Sequence, residues 1–192
     1  MVIEHVVLFV AWMFYYFLHS LLATTQIKSR IGLSPRHYRI VYSLIATVLF
    51  IFLMLYTASI YSSLIYPPSA TTNYAGLMLT TVGIFILKRS FRNYSLKEFI
   101  GLKKEEESAL KTSGVQAKIR HPLYSGTLLI FIGYFIFNPQ LSSLVLLLSV
   151  VVYLPFGIRL EEKKLIELFG DEYLAYKKRT PSLIPRLKPK SV

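Results

Sequence analysis

The chain has 192 residues, 54% of them hydrophobic, and a net charge of +12. This length allows one compact domain over 1–192 and leaves no room for a membrane region plus a separate catalytic domain. Because the sequence contains no cysteine, disulfides, thiolate metal sites and a cysteine nucleophile are excluded.

Long charge-free apolar blocks follow one another along the chain and predict an all-α, polytopic membrane protein of about five transmembrane helices. The blocks run over 6–22, 40–65, 70–87, 123–137 and 141–158. A bilayer core of about 30 Å needs about 20 helical residues, so the third and fourth blocks are short. The last two blocks are therefore expected either to cross fully or to form a hairpin. Residues 1–90 hold the first three spans, and 91–192 hold the last two spans and a tail.

The basic residues indicate the orientation of these spans. All 22 lie in three segments, 28–39, 88–120 and 159–190, whereas the turns at 66–73 and 138–140 carry no charge. Five spans with the N-terminus outside place every basic segment in the cytoplasm, as the positive-inside rule requires. The positive charge is thus a topology signal, with attraction to anionic membrane lipids as a by-product. A nucleic-acid partner is not expected, since no basic groove interleaved with aromatic residues occurs.

The first group of candidate site residues precedes the fourth apolar block, in the stretch Arg120-His121-Pro122-Leu123-Tyr124-Ser125-Gly126. Pro122 suits the first turn of a helix and keeps His121 out of helical geometry. Arg120 and His121 are therefore expected in a loop beside a helix N-terminus, which favours a carboxylate or phosphate. The alternative is an interfacial anchor, with Tyr124 as an interface aromatic and Gly126 as a helix-packing residue.

The second group follows the fifth block and begins with Arg159, Glu161 and Glu162. Apolar residues at offsets of three and four predict a cytosolic amphipathic helix here, with a break at Gly170. A further turn carries Tyr173 and Tyr176. Carboxylates at the end of a span need partners or water, although a solvated surface helix is the simpler explanation for most of this segment.

Several other classes of site find no support. The four histidines show no metal-ligand spacing, so no metal is expected. The sequence contains no Gly-x-Gly-x-x-Gly and no P-loop, which excludes a Rossmann-type enzyme. His19 lies within the first apolar block, where an ionisable group is a functional candidate, although a packing role is the more common one.

The two groups together resemble the isoprenylcysteine carboxyl methyltransferase family, in its prokaryotic form. The resemblance covers roughly the last 75 residues. It rests on Gly114, the Arg120-to-Gly126 stretch, Glu161-Glu162, Leu165, Phe169-Gly170-Asp171-Glu172-Tyr173, Tyr176, Thr180-Pro181 and Ile184-Pro185. The resemblance is specific because two separated motifs occur at the same distance from each other as in that family.

This resemblance implies an enzyme that transfers a methyl group from S-adenosylmethionine to a lipidic or small hydrophobic acceptor at the cytosolic face of a prokaryotic plasma membrane. The implied acceptor is a carboxylate of a prenylated-cysteine type, with other lipids and thiols as alternatives. The implied catalytic residues are Arg159 and Glu162. The implied cofactor-binding residues are Arg120, His121, Pro122, Tyr124, Gly126, Glu161, Tyr173 and Tyr176.

Two competing hypotheses remain at this point. The first is an NADPH-dependent membrane reductase of the sterol type, which also carries an Arg-His-Pro motif but is longer and has more spans. The second is a non-catalytic membrane scaffold, for which changes at His121 and Glu162 would have no consequence.

Overall fold

A computed structural model describes residues 2–92 and 109–186, and its regular elements there are all helices. They are α1 (Val2–Leu22), α2 (Thr25–Ile31), α3 (Pro35–Ser59), α4 (Ala70–Ser90), α5 (Pro122–Phe137) and α6 (Leu141–Arg179). The predicted all-α class is confirmed. The short helix α2 was not anticipated, although its Thr24 N-cap and the left-handed Gly32 after it are typical boundary residues.

Four helices, α1, α3, α4 and α6, are long and apolar enough to cross a membrane. Helix α5 has 16 residues and is therefore about 24 Å long, somewhat less than a bilayer core. Large apolar side chains such as Phe17, Phe52 and Phe85 lie on the outer surface of the bundle, each more than half exposed. A surface of this kind suits contact with lipid, and the predicted polytopic membrane protein is confirmed.

The two ends of the bundle differ in charge. At one end the uncharged turns pack together, because the Ile65 amide donates to the Pro139 carbonyl (2.8 Å) and the Leu141 amide to the Ser63 carbonyl (3.0 Å). The α5–α6 hairpin therefore reaches the same end of the bundle as α3. The opposite end, where α1 and α4 finish and α3 and α5 begin, carries the basic residues. We call it the basic end.

Helices α4 and α5 lie in backbone contact along a row of glycines. A Cβ atom added at Gly76 would come within 2.6 Å of the Gly133 carbonyl oxygen, and one at Gly83 within 2.7 Å of the Gly126 carbonyl oxygen. Only glycine allows two helices to approach so closely. This contact fixes the position of α5, and with it the loop that precedes α5.

A second layer packs α1 and α3 against α6 through a buried apolar core. Leu8, Trp12 and Leu146 are fully buried in it. The indole N–H of Trp12 donates to the Thr57 hydroxyl (3.1 Å), so the single polar atom of this ring has a partner.

Helix α6 differs from the expected pair of elements. The apolar block and the amphipathic segment form one long helix, because Glu161 to Lys164 are good helix formers and the helix continues through Pro155 as far as Gly170. Gly170 has φ 50° and ψ −127°, a conformation that favours glycine, and it bends the helix there. The sequence correctly placed this break. The bend turns the last nine residues of α6 back toward the start of α5.

Candidate active site

A short tail after α6 lies across the start of α5 and fixes the loop that carries Arg120 and His121. The Arg120 amide donates to the Pro181 carbonyl (2.9 Å), and the His121 amide donates to the Ser182 carbonyl (3.0 Å). The Ser125 hydroxyl, one turn into α5, donates to the Leu183 carbonyl (2.7 Å). These two loop amides are thus already paired, and an incoming anion would need other donors.

Glu162 is the centre of the site, and three cationic side chains converge on its carboxylate. Arg120 donates from Nε (2.9 Å) and from one terminal nitrogen (2.7 Å) to Oε1, which also accepts from His121 Nε2 (3.1 Å). Lys177 Nζ lies 2.6 Å from Oε2. The Glu162 side chain is only 8% exposed. Charge-assisted bonds of this kind in a buried setting hold the two chain segments together.

Arg120 uses most of its donors within the protein. Besides Glu162, its second terminal nitrogen donates to the carbonyl oxygens of Lys177 and Thr180. An arginine has five N–H donors, so at most one remains for a ligand. Arg120 therefore joins the start of α5 to the end of α6, and its charge is largely neutralised by Glu162.

The ionisation of the two central residues follows from these contacts. Burial alone would raise the pKa of Glu162, but hydrogen bonds from Lys177, His121 and Arg120 outweigh it and lower the pKa from 4.5 to about 2. Burial likewise opposes the charged form of His121, yet contacts with Glu161 and Glu162 outweigh burial and raise its pKa above 6.5. Glu162 is thus a carboxylate at neutral pH and a poor proton acceptor.

A pH dependence of stability follows for His121. A raised pKa in the folded state means that the stabilisation is complete below 6.5 and is lost as the pH rises through the folded-state value. We expect the thermal midpoint of the detergent-solubilised protein to decrease as the pH is raised from mildly acidic to mildly alkaline. The His121→Gln variant should lack this pH-dependent decrease in the thermal midpoint, whereas the His37→Gln variant, changed at an exposed histidine, should keep it. Equal slopes in all three proteins would contradict the assignment.

Glu161 lies at the exposed edge of this ion cluster. Its side chain is 45% exposed, and Oε2 lies 3.4 Å from His121 Nδ1. The Glu161 carboxylate also interacts with the Tyr124 hydroxyl, and the Tyr124 ring stacks beside the His121 imidazole at 5.7 Å between centroids. Adjacent glutamates on α6 therefore differ: one is buried among cations, and the other presents an accessible carboxylate toward α5.

Two tyrosines after the Gly170 bend close the other side of the site. The Tyr176 hydroxyl donates to the Gln116 carbonyl (2.6 Å). Tyr173 is 1% exposed, and burial, followed by the Glu162 charge, raises its pKa. The Tyr173 and Ser182 hydroxyls are buried without a hydrogen-bond partner among the residues that the structure describes. Buried hydroxyls of this kind are usually satisfied by water or a ligand.

Most residues that the sequence singled out lie together. Arg120, His121, Tyr124, Glu161, Glu162, Tyr173 and Tyr176 surround one site, and Pro122 begins the helix beside it. Gly126 instead faces Gly83 and Leu87 of α4, as in the packing alternative. Arg159 is exposed, and no hydrogen bond or ion pair joins it to another described residue. The sequence did not identify Lys177 or the carbonyls of 180–183, because their roles depend on the bend at Gly170.

Residues 7–187 match the family described as NnrU protein. The chain belongs to the NnrU protein family. Because the match covers nearly the whole chain, the family includes both the N-terminal helices and the site.

Several relatives of this chain are methyltransferases. The chain is 35% identical over 119 residues to methanethiol S-methyltransferase 1 of Bradyrhizobium diazoefficiens, and these cover 60% of the chain and 40% of that protein. It is 34% identical over 118 residues to protein-S-isoprenylcysteine O-methyltransferase of Rattus norvegicus, covering 59% of the chain and 41% of the relative. No solved structure matches the chain. The resemblance to isoprenylcysteine carboxyl methyltransferases is confirmed, and the reductase alternative is not favoured.

Proposed function

We propose that this protein transfers a methyl group from S-adenosylmethionine to a hydrophobic acceptor at the cytosolic face of the membrane. The observation that carries the proposal is the convergence of Arg120 and His121, before α5, with Glu161 and Glu162, beyond the apolar part of α6. The methyltransferase relatives support the reaction class. The distribution of basic residues supports a cytosolic position for the basic end, with the N-terminus outside.

The residues present suit this cofactor in their chemistry. S-adenosylmethionine has an amino acid end, ribose hydroxyls and a positively charged sulfonium, and so it needs both donors and an anionic group. The buried hydroxyls of Tyr173 and Ser182 offer polar partners, and Glu161 offers an accessible carboxylate for a cationic group. When bound, the cofactor supplies an activated methyl group for direct displacement.

The protein's own part in the reaction is positioning. Glu162 holds Arg120 and His121 in place, and His121 in turn orients Glu161 next to Tyr124. Holding donor and acceptor in line can lower a barrier by roughly 7–11 kcal/mol in favourable cases. Tyr124 and Tyr173 narrow the space and exclude water, which favours reaction of an anionic acceptor.

The acceptor in our first proposal is a carboxylate on a lipidic molecule, as in the isoprenylcysteine relatives. Arg159 is the residue that would bind it, because this cation is exposed where α6 leaves its apolar stretch and has no partner in the described chain. A guanidinium can bind a carboxylate through two parallel hydrogen bonds. Arg159→Gln should then raise KM for a lipidic carboxylate and leave cofactor affinity unchanged.

A thiol acceptor is the second candidate, and a specific observation favours it. Arg120 and Lys177 are both engaged by Glu162, whereas Glu161 is an exposed carboxylate that could receive a thiol proton. Methylation of a thiol would release that proton as the sulfur–methyl bond forms. Glu161→Gln should slow methylation of a thiol and affect methylation of a carboxylate much less.

Cofactor binding by the detergent-solubilised protein tests the proposal directly. We expect the wild type to bind labelled S-adenosylmethionine, with competition by S-adenosylhomocysteine and none by NADPH. Arg120→Ala and His121→Ala should each abolish binding, because each removes a cation from Glu162. Arg36→Ala, at an exposed arginine in the first turn of α3, is the matched control and should bind normally. Unchanged binding in both site variants would sink the assignment.

A further inference from the structure

The tail that follows α6 has an outer side as well as the inner side that holds the loop. Its inner side consists of the Pro181 and Ser182 carbonyls, which accept from the loop amides. The residues that come next are turned outward, since Ile184 is 79% exposed and both Pro185 and Arg186 are exposed. Beyond the loop contacts, the tail therefore presents an apolar side chain and a cationic one at the surface of the bundle.

The contact between the tail and α5 sets the level of the tail relative to the membrane. The Leu183 carbonyl accepts from the Ser125 hydroxyl, in the first turn of α5 (2.7 Å). Helix α5 is about 24 Å long and carries no charge, so its whole length is needed to cross a bilayer core of about 30 Å. Its first turn therefore lies at the edge of that core, and Ile184, next to Leu183, lies at the same level. At this boundary an exposed isoleucine is covered by lipid acyl chains.

Two arginines, Arg179 and Arg186, belong to the same part of the surface as Ile184. The Arg179 guanidinium lies over the Tyr176 ring, 5.9 Å from its centroid, and Arg186 Nη1 donates to the Arg179 carbonyl (3.4 Å). Both arginines are exposed, and no ion pair joins either of them to another residue within 2–92 and 109–186. A guanidinium at the level of the lipid headgroups can bind a phosphate through two parallel hydrogen bonds.

We propose that Ile184, Arg179 and Arg186 form a docking surface for anionic phospholipid headgroups, which we call the lipid-docking surface. Its charge selects this partner, because it combines two guanidinium groups with an apolar side chain and contains no carboxylate. Lipid bound there holds the tail against α5, and the tail carbonyls in turn hold the loop with Arg120 and His121. The inference rests on the proposed function and adds that cofactor binding depends on anionic lipid.

The competing explanation is that the tail is a simple strap and that anionic lipid acts only through general attraction to the basic end. General attraction weakens with distance from the membrane surface, but it does not distinguish one exposed arginine of that end from another. It would therefore change every single-arginine variant of the basic end to a similar degree. The lipid-docking surface instead makes the effect of lipid depend on Arg179 and Arg186.

The experiment uses the full chain in nanodiscs of phosphatidylcholine alone, or with about one third phosphatidylglycerol as the anionic probe. Affinity is measured for S-adenosylhomocysteine, because this ligand carries no net charge and is not itself concentrated at an anionic surface. We expect phosphatidylglycerol to tighten binding about fivefold in the wild type, and this gain to be lost in Arg179→Gln and Arg186→Gln. The Arg36→Gln control, at the exposed arginine in the first turn of α3, should keep the gain. Thermal midpoints are recorded in the same nanodiscs.

The Ile184→Ser variant tests the apolar part of the lipid-docking surface. It should weaken binding in both kinds of nanodisc, because a serine side chain gains nothing from contact with acyl chains. The matched control is Ile31→Ser, at an isoleucine of α2 that is 50% exposed, and it should bind like the wild type. Equal affinities in these two variants would mean that the tail does not enter the bilayer, which overturns the inference.

Three results of the lipid comparison also overturn the inference and leave the proposed function intact. The first is a wild type that binds equally well in both lipids, and the second is a gain that persists in both arginine variants. The third is a gain that Arg36→Gln loses as fully as Arg186→Gln, which is the result of general attraction.

A wild type that binds no S-adenosylhomocysteine in either lipid contradicts the proposed function itself. The thermal midpoints still decide about the lipid-docking surface in that case. Phosphatidylglycerol should raise them in the wild type and in Arg36→Gln, and less so in Arg186→Gln. The two failures are therefore distinguishable.

Discussion

Replacing Glu162 with glutamine is expected to abolish binding of labelled S-adenosylmethionine and to lower the thermal midpoint strongly. Both carboxylate oxygens accept from donors only: Oε1 from Arg120 and His121, and Oε2 from Lys177. A glutamine amide has one acceptor and one donor end, so its NH₂ group must face at least one of these donors. The near-isosteric change therefore sets an amide donor against at least one of these cations and removes the negative charge that all three share. Loss of one partner of such a pair costs roughly 3 kcal/mol.

The matched control is Glu167→Gln, which makes the same chemical change at an exposed position of the same helix. It should bind the cofactor like the wild type and unfold at the same temperature. Lys177→Met should have an intermediate effect, since the Lys177 side chain is 42% exposed and water can replace it. A Glu162→Gln protein with normal cofactor affinity would falsify the central role given to this carboxylate, even if its stability were reduced.

Acid should act on the same group. Because the pKa of Glu162 is lowered from 4.5 to about 2, its contribution to folding stability is complete above pH 4.5. That contribution is lost as the pH falls from 4.5 to about 2. His121 behaves in the opposite sense, losing its contribution as the pH rises. Together these two residues confine the fully charged ion cluster to the range above the lowered pKa of Glu162, about 2, and below the raised pKa of His121.

The sequence predicted the membrane architecture because hydrophobic blocks and basic segments report on burial in lipid, which is a property of composition. The sequence was less informative about features that tertiary contacts determine, such as the length of α6. Nothing in the sequence indicates that α6 runs unbroken from Leu141 through Glu162, since the change from apolar to charged residues looks like the end of one helix. The bend at Gly170 was foreseeable, because glycine is the residue that tolerates positive φ.

The sequence indicated which residues lie together at the site better than it indicated their burial and their hydrogen-bond partners. The two motifs lie 42 positions apart at Arg120 and Glu162, and their union follows from the α5–α6 hairpin. The distinct states of Glu161 and Glu162 could not be predicted, because adjacent residues on a helix point about 100° apart and only the packed structure decides which one is buried. Likewise, the pairing of Glu162 with Lys177 depends on the bend and not on sequence spacing.

The contact between α4 and α5 leads to the second large effect. An alanine at Gly83 would place its Cβ 2.7 Å from the Gly126 carbonyl oxygen, and an alanine at Gly76 would place its Cβ 2.6 Å from the Gly133 carbonyl oxygen. Backbone atoms cannot yield as a flexible side chain can, so the helices must separate along the row. Overpacking of this kind costs about 1–3 kcal/mol, which exceeds the propensity gain of about 1 kcal/mol from replacing a helical glycine with alanine.

The two substitutions are expected to differ in their effect on the site. Gly83 faces Gly126, one turn from Pro122, whereas Gly76 faces Gly133, two turns farther from the basic end. Both variants should unfold at lower temperature in detergent, but only Gly83→Ala should weaken cofactor binding, by tenfold or more, because it displaces the loop with Arg120 and His121. Met78→Ala, on the exposed face of α4, is the control and should change neither quantity. Equal loss of affinity in both glycine variants would mean that the helix pair moves as a whole, and that the loop is positioned by the tail at 180–183 instead.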